Sequence, residues 1–269
     1  MMTVEKLCKL IELQDSVFVR VKDVLMDLDV IKIQDVLADL ANPNKAREAY
    51  ETLKNALGED TDNMKMLACQ LLCAVKLYEY YQEKGITDVI YADTMKCFTR
   101  FIGECKVKTG KYAFDRGWWS YRQVSMVLFR IGTLEYELLE EKGTKSIALH
   151  IPSDSKMTKE NVDASIEMAK EFIAKCYPEY IGCDWTCDSW LLAPKLREVL
   201  PDESNIISFQ NRFEIKEVFP EAKDIFEWLY KTAEDADIHS LKEDTSLQRK
   251  VKELLLRGEK VGIAFGVMK

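Results

Sequence analysis

The spacing of apolar residues changes near residue 130, and this change constrains the fold more than any other feature of the chain. Before it, apolar side chains recur at the i, i+3, i+4, i+7 intervals of amphipathic helices, as in Val4, Leu7, Cys8 and Ile11. The same spacing predicts helices over 15–28, 33–40 and 45–57, with stops at Asn42-Pro43 and Gly58. A further helix, with Asp62 as a candidate cap, carries Met66, Leu67, Leu71, Val75 and Tyr78 and ends at Gly85. Residues 87–102 and the run WWSYRQVSMVLFRIG also read as helix.

After residue 132 the period falls to two. TLEYELL (133–139) and residues 145–151 read as a strand pair around the turn at 141–144. Pro152 ends the pair, and Thr158 is placed to cap a helix running to Cys176. A strand at 181–187 follows, then a helical stretch around Pro194. Residues 205–213 fit helix or strand. A strand at 213–218, helices near 221–232 and 246–257, and the final strand VGIAFGVM complete the pattern. The expectation is an α+β protein, with a helical domain over 1–130 packed on a mixed-sheet domain over 131–269.

Composition narrows the function. The net charge of −8 argues against nucleic acid and anionic membrane surfaces as partners. No apolar run approaches the ~20 residues of a membrane span, and the charged N-terminus lacks a signal-peptide core. A cytoplasmic location is expected. The eight cysteines are then reduced, and neither Cys69/Cys73 nor Cys183/Cys187 has metal-knuckle spacing, so no metal is expected.

Three blocks of residues carry a resemblance. They are His150-Ile151-Pro152 with Asp163, Ser165, Phe172 and Pro178; Cys187-Asp188-Ser189-Trp190-Leu191-Leu192 with Pro194 and Leu196; and Ser204-Asn205-Ile206 with Phe209, Gln210 and Phe213. Together they resemble the bacterial GNAT-like C-terminal domain, which that family pairs with a helical N-acyltransferase N-terminal domain. Phe114-Asp115-Arg116-Gly117 and residues 118–135 are similar to the join between the two. The resemblance implies an acyltransferase with acyl-CoA as co-substrate and a small amine as acceptor, or an acyl donor carried on an acyl carrier protein. A non-catalytic ligand-binding or assembly protein with a degenerate GNAT fold is the alternative.

Such an enzyme must hold a pyrophosphate and deprotonate an amine. The Q/R-x-x-G-x-G/A loop that does the first is absent; Arg130-Ile131-Gly132-Thr133 has its first half only. The loop before the long helix takes its place, with Ser153, Ser155, Lys156 and Thr158 as phosphate-binding candidates, or with Ser155 or Thr158 simply capping the helix. Asn205 is either a ligand contact or a cap. His150 is either the general base or a buried residue fixing the loop. Glu135, which shares a strand face with Glu137, is a second candidate base. Cys187 is a candidate nucleophile, pocket residue or packing residue, with Asp184 and Asp188 working against thiolate formation. Ser189 and Trp190 are candidate substrate contacts or, for Trp190, a core anchor. Trp118, Trp119 and Arg122 are placed to recognise a substrate in an inter-domain cleft, or to pack between domains.

Overall fold

The computed structural model describes residues 1–269, which form two compact units, Met1–Ile131 and Gly132–Lys269. The first is helical: α1 (Val4–Leu10), α2 (Asp15–Asp27), α3 (Val30–Leu40), α4 (Ala46–Leu57), α5 (Met64–Glu83), α6 (Asp88–Met95), α7 (Cys97–Thr109) and α8 (Gly117–Val124), closed by the short strand β1 (Leu128–Ile131). Helix α5 is the hub. It touches α1 to α4, α6 and α8, and Leu67, Ala68, Leu71 and Ala74 are fully buried. Burying such side chains contributes roughly 1.5–3 kcal/mol for each large one.

Three expectations are corrected here. Asp62 does not cap α5. It sits in a left-handed conformation (φ +58°) and pairs with Arg20, while Asp60 accepts from the N–H groups of Lys65 and Met66. The helix expected over 87–102 is two helices that turn at Lys96, because they bury different sets of side chains. Thr94 of α6 accepts from the Arg130 N–H of β1, whereas Phe98, Phe101 and Ile102 of α7 are sunk into apolar surroundings. The run after Trp118 stays helical only to Val124. Met126 takes φ +58°, and Leu128–Ile131 extends as a strand. An apolar run buried on both faces has no period that separates helix from strand.

The second unit contains β2 (Leu134–Glu141), β3 (Thr144–His150), α9 (Lys159–Cys176), β4 (Asp184–Ser189), α10 (Asn205–Gln210), β5 (Phe213–Phe219), α11 (Asp224–Trp228), α12 (Ser246–Leu256) and β6 (Ile263–Met268). Its strands run side by side in the order β2-β3-β4-β6-β5. Only β3 and β4 are parallel among the pairs β2–β3, β3–β4, β4–β6 and β5–β6. The stretch around Pro194 is a pair of 3-10 turns, and the helix expected over 221–232 is only the short α11. No helix is long and apolar enough to cross a membrane.

Local chemistry fixes these elements. Lys142 and Gly143 both take positive φ (51° and 82°), forming the two-residue turn that matches strand twist and sets the β2–β3 register. Thr158 caps α9 by accepting from the Asn161 N–H, and α9 buries Val162, Ile166, Ala169, Phe172 and Ile173. At its middle, Ser165 Oγ lies 3.0 Å from the Tyr136 hydroxyl and accepts from the Leu134 N–H at 3.2 Å. Gly132 (φ +63°) permits this approach, since a Cβ there would stand 2.7 Å from Met168 Cε and 3.2 Å from Ser165 Cα.

Candidate active site

Alternation along the strands sorts the sheet's residues between two faces. One face takes Leu134, Tyr136 and Leu138 from β2, Ile147 and Leu149 from β3, and Cys187 from β4, all of them buried. The other takes Glu135 and Glu137, then Ala148 and His150, then Thr186 and Asp188, as the register shows: Glu135 faces His150, Glu137 faces Ala148, and Ala148 faces Thr186. The carboxylates and the histidine therefore gather on one face.

Two of them are in contact. His150 Nε2 lies 2.8 Å from Glu137 Oε2, a diagonal pair across the β2–β3 hairpin. An ionised carboxylate only accepts, so this bond puts a hydrogen on Nε2. Glu135 is almost fully buried beside them. Asp188 reaches solvent on the same face, yet its carboxyl is held above the usual aspartate range. Lost hydration is the main cause; repulsion from Asp224 and Glu217 adds to it, and His150 pulls the other way.

Beside this cluster the sheet opens. β3 and β4 pair only through Ser146–Asp184, Ile147–Trp185 and Ala148–Thr186. Beyond Ala148, β3 stays with β2 as far as His150, and β4 stays with β6 as far as Ser189. The inner edges of the two strands no longer pair with one another. Such edges can accept an extended chain that carries its own amide groups.

The structure redistributes the other candidates. Cys187 is fully buried on the apolar face and its thiol is pushed up by burial, with Asp188 adding to the shift. It packs on the apolar face, where burial works against the thiolate that a nucleophile role would need. Ser189 accepts from the Leu191 N–H and caps a 3-10 turn, and Trp190 packs on the core formed with Leu196, Val251 and Leu254. Asn205 is not a cap either; Ser204 caps α10 by accepting from Ile206 N–H.

In the loop before α9, Ser155 donates to the Thr133 carbonyl at 2.6 Å, and the Lys156 N–H donates to Thr133 Oγ1 at 2.8 Å. The loop is thus pinned, with Ser153, the Lys156 side chain and Thr158 exposed at the helix start. Arg212, which sequence reasoning missed, donates to Asp163 and to the Lys159 carbonyl, placing a guanidinium at the first turn of α9. In the first unit, the Arg122 guanidinium stacks 4.3 Å above the Trp119 ring, and Trp118 stands half exposed beside Arg116.

Comparisons with known proteins bear on this geometry. Residues 128–268 match the GNAT-like C-terminal domain, and residues 2–126 match the N-acyltransferase N-terminal domain. No curated protein matches the chain. Among solved structures, it is similar to an acyltransferase in complex with decanoyl-CoA and teicoplanin, with 20% identity and a TM-score of 0.81 over 99% of this chain and 87% of that one. It is also similar to a mutant acyltransferase in complex with octanoyl-CoA, with 19% identity and a TM-score of 0.82 over 100% and 89% of the two chains. An acyltransferase in complex with decanoyl-CoA gives 18% identity and a TM-score of 0.72 over 99% of each chain. At these identities the likeness extends to the fold. The chain belongs to the family that joins an N-acyltransferase N-terminal domain to a GNAT-like C-terminal domain.

Proposed function

We propose that this protein transfers an acyl group from acyl-CoA to the amine of a small molecule, with His150 as general base. The observation that carries the reading is the parting of β3 from β4 beyond Ala148, directly beside the His150–Glu137 pair. The pantetheine arm, with its two amides, suits the opened strand edges, and the thioester then lies next to His150. Ser153, Lys156 and the first N–H groups of α9 are offered to the pyrophosphate. The likeness to acyltransferases holding acyl-CoA supports the same donor.

The amine nitrogen attacks the thioester carbonyl carbon, forming the C–N bond. The His150 ring takes the amine proton, and Glu137 holds the ring and stabilises the imidazolium. A strand N–H at the opening receives the oxyanion. The C–S bond then breaks, and the departing sulfur receives the proton from His150, releasing CoA. On this reading Glu137, rather than Glu135, is the carboxylate coupled to the base.

Turnover of octanoyl-CoA with a panel of primary amines, followed as loss of thioester absorbance, tests the proposal. Amine-dependent turnover that falls about a hundredfold or more in His150→Ala is expected. Turnover indifferent to that change contradicts the assignment of the base. A protein that binds acyl-CoA but acylates no amine in the panel becomes a binding protein with a retained fold.

A further inference from the structure

The first unit contains a recess apart from the sheet site proposed for acyl transfer. Its volume is about 210 Å³, and it lies where the end of α4, the start of α5 and residues 114–117 meet. Tyr50, Met66 and Phe114 form its apolar wall. Gly117 lets them close up, because a Cβ there would stand 3.0 Å from Met66 and 3.4 Å from both Phe114 and Tyr50.

Three charged side chains line the recess, and one of them is committed. Asp60 gives its two oxygens to the N–H groups of Lys65 and Met66. Asp115 is not committed: its Oδ1 is buried and receives no hydrogen bond from the protein. A buried acceptor in that state is costly and calls for a donor. Lys54 stands exposed at the rim. The lining of the recess thus combines an uncommitted carboxylate, an exposed ammonium and an apolar wall.

We propose that this recess binds a small zwitterion, an α-amino acid with an apolar side chain. The ammonium donates to Asp115 Oδ1, the carboxylate faces Lys54, and the side chain lies against Met66 and Phe114. The volume is below the ~300 Å³ at which ligand pockets usually begin, which suits a ligand of amino-acid size and excludes a nucleotide cofactor.

Calorimetric titration of the full chain with L-leucine, isoamylamine and isocaproate separates the contributions. Leucine is expected to bind one-to-one, isoamylamine about tenfold more weakly, and isocaproate not at all. Asp115→Asn should weaken leucine about tenfold or more, and Lys54→Ala should reduce leucine to the level of isoamylamine. Absence of saturable heat from leucine overturns the proposal, since water then satisfies Asp115. Equal binding of leucine by the unaltered protein and both variants overturns it as well, by placing the ligand elsewhere. If Asp115→Asn does not fold, the ranking of the probes on the unaltered protein decides, and isocaproate binding as tightly as leucine contradicts the site.

Discussion

The two faces of the second unit's sheet are made from alternate residues of the same strands, yet they hold opposite chemistry. On one face Tyr136, Leu138, Ile147, Leu149 and Cys187 are buried and carry packing. On the other lie the ionisable side chains Glu135, Glu137, His150 and Asp188. Neighbours in sequence therefore differ in role: Leu149 and His150, or Cys187 and Asp188, are one residue apart and on opposite sides. The lesson is that a strand delivers a packed face and an ionisable face together, and a one-residue slip in register would exchange them.

Substitutions at these neighbours test the separation, and the largest effect belongs to the reactive face. His150→Ala should lower kcat/KM by roughly 10²–10⁴-fold. The fold should survive, seen by circular dichroism, with a stability loss of about 1–3 kcal/mol from stranding Glu137. Leu149→Ala should do the reverse. It should cost about 2–5 kcal/mol in urea unfolding while leaving kcat unchanged in the molecules that remain folded. If Leu149→Ala abolishes turnover in folded protein, the division between faces is wrong.

Gly132→Ala sharpens the packing side. The positive φ and the short distances to Met168 and Ser165 mean that a methyl forces α9 to shift. A loss of about 1–3 kcal/mol is expected, measured by chemical unfolding. Cys187→Ala should cost about 1 kcal/mol and leave acyl transfer intact, because the thiol is buried on the face opposite His150.

The smallest effect is the pH response of Asp188. Its carboxyl is raised above its unfolded value, so the folded protein holds that proton more tightly. The stabilising contribution is present below the ordinary aspartate range, near pH 4, and is lost as pH rises through the raised value. Asp188→Asn removes this dependence. Urea unfolding should show the variant gaining stability relative to the unaltered protein between about pH 4 and pH 7. The gain should be small because the carboxylate still reaches solvent.

Much of this unit is legible in the sequence. Period-two alternation marks β2, β3 and β5, and Thr158 marks the start of α9 to the residue. The His150–Glu137 contact was also within reach. A two-residue turn at Lys142-Gly143 pairs Glu141 with Thr144, and counting back pairs Glu137 with Ala148 and Glu135 with His150. Only a turn confined to Lys142-Gly143, not one spread over 141–144, gives that register. The same alternation on β4 puts Asp188 opposite Cys187, where it belongs to the histidine's face.

What stayed hidden depends on partners distant in sequence. The break at Lys96 follows from Thr94 meeting Arg130, and Arg212 reaches α9 across 49 residues to Asp163. The parting of β3 and β4 is a property of pairing length, which neither strand's own composition records. The recess in the helical unit depends on Asp115 lying near α4 and the start of α5, again a tertiary fact.

The most direct test of the account is a calorimetric titration of octanoyl-CoA into the unaltered protein and into Ala148→Trp, which fills the point where β3 leaves β4. The account predicts one-to-one binding to the unaltered protein and its loss in the folded variant. No binding to the unaltered protein, or equal binding to both, would contradict the placement of the acyl-CoA between the parted strands.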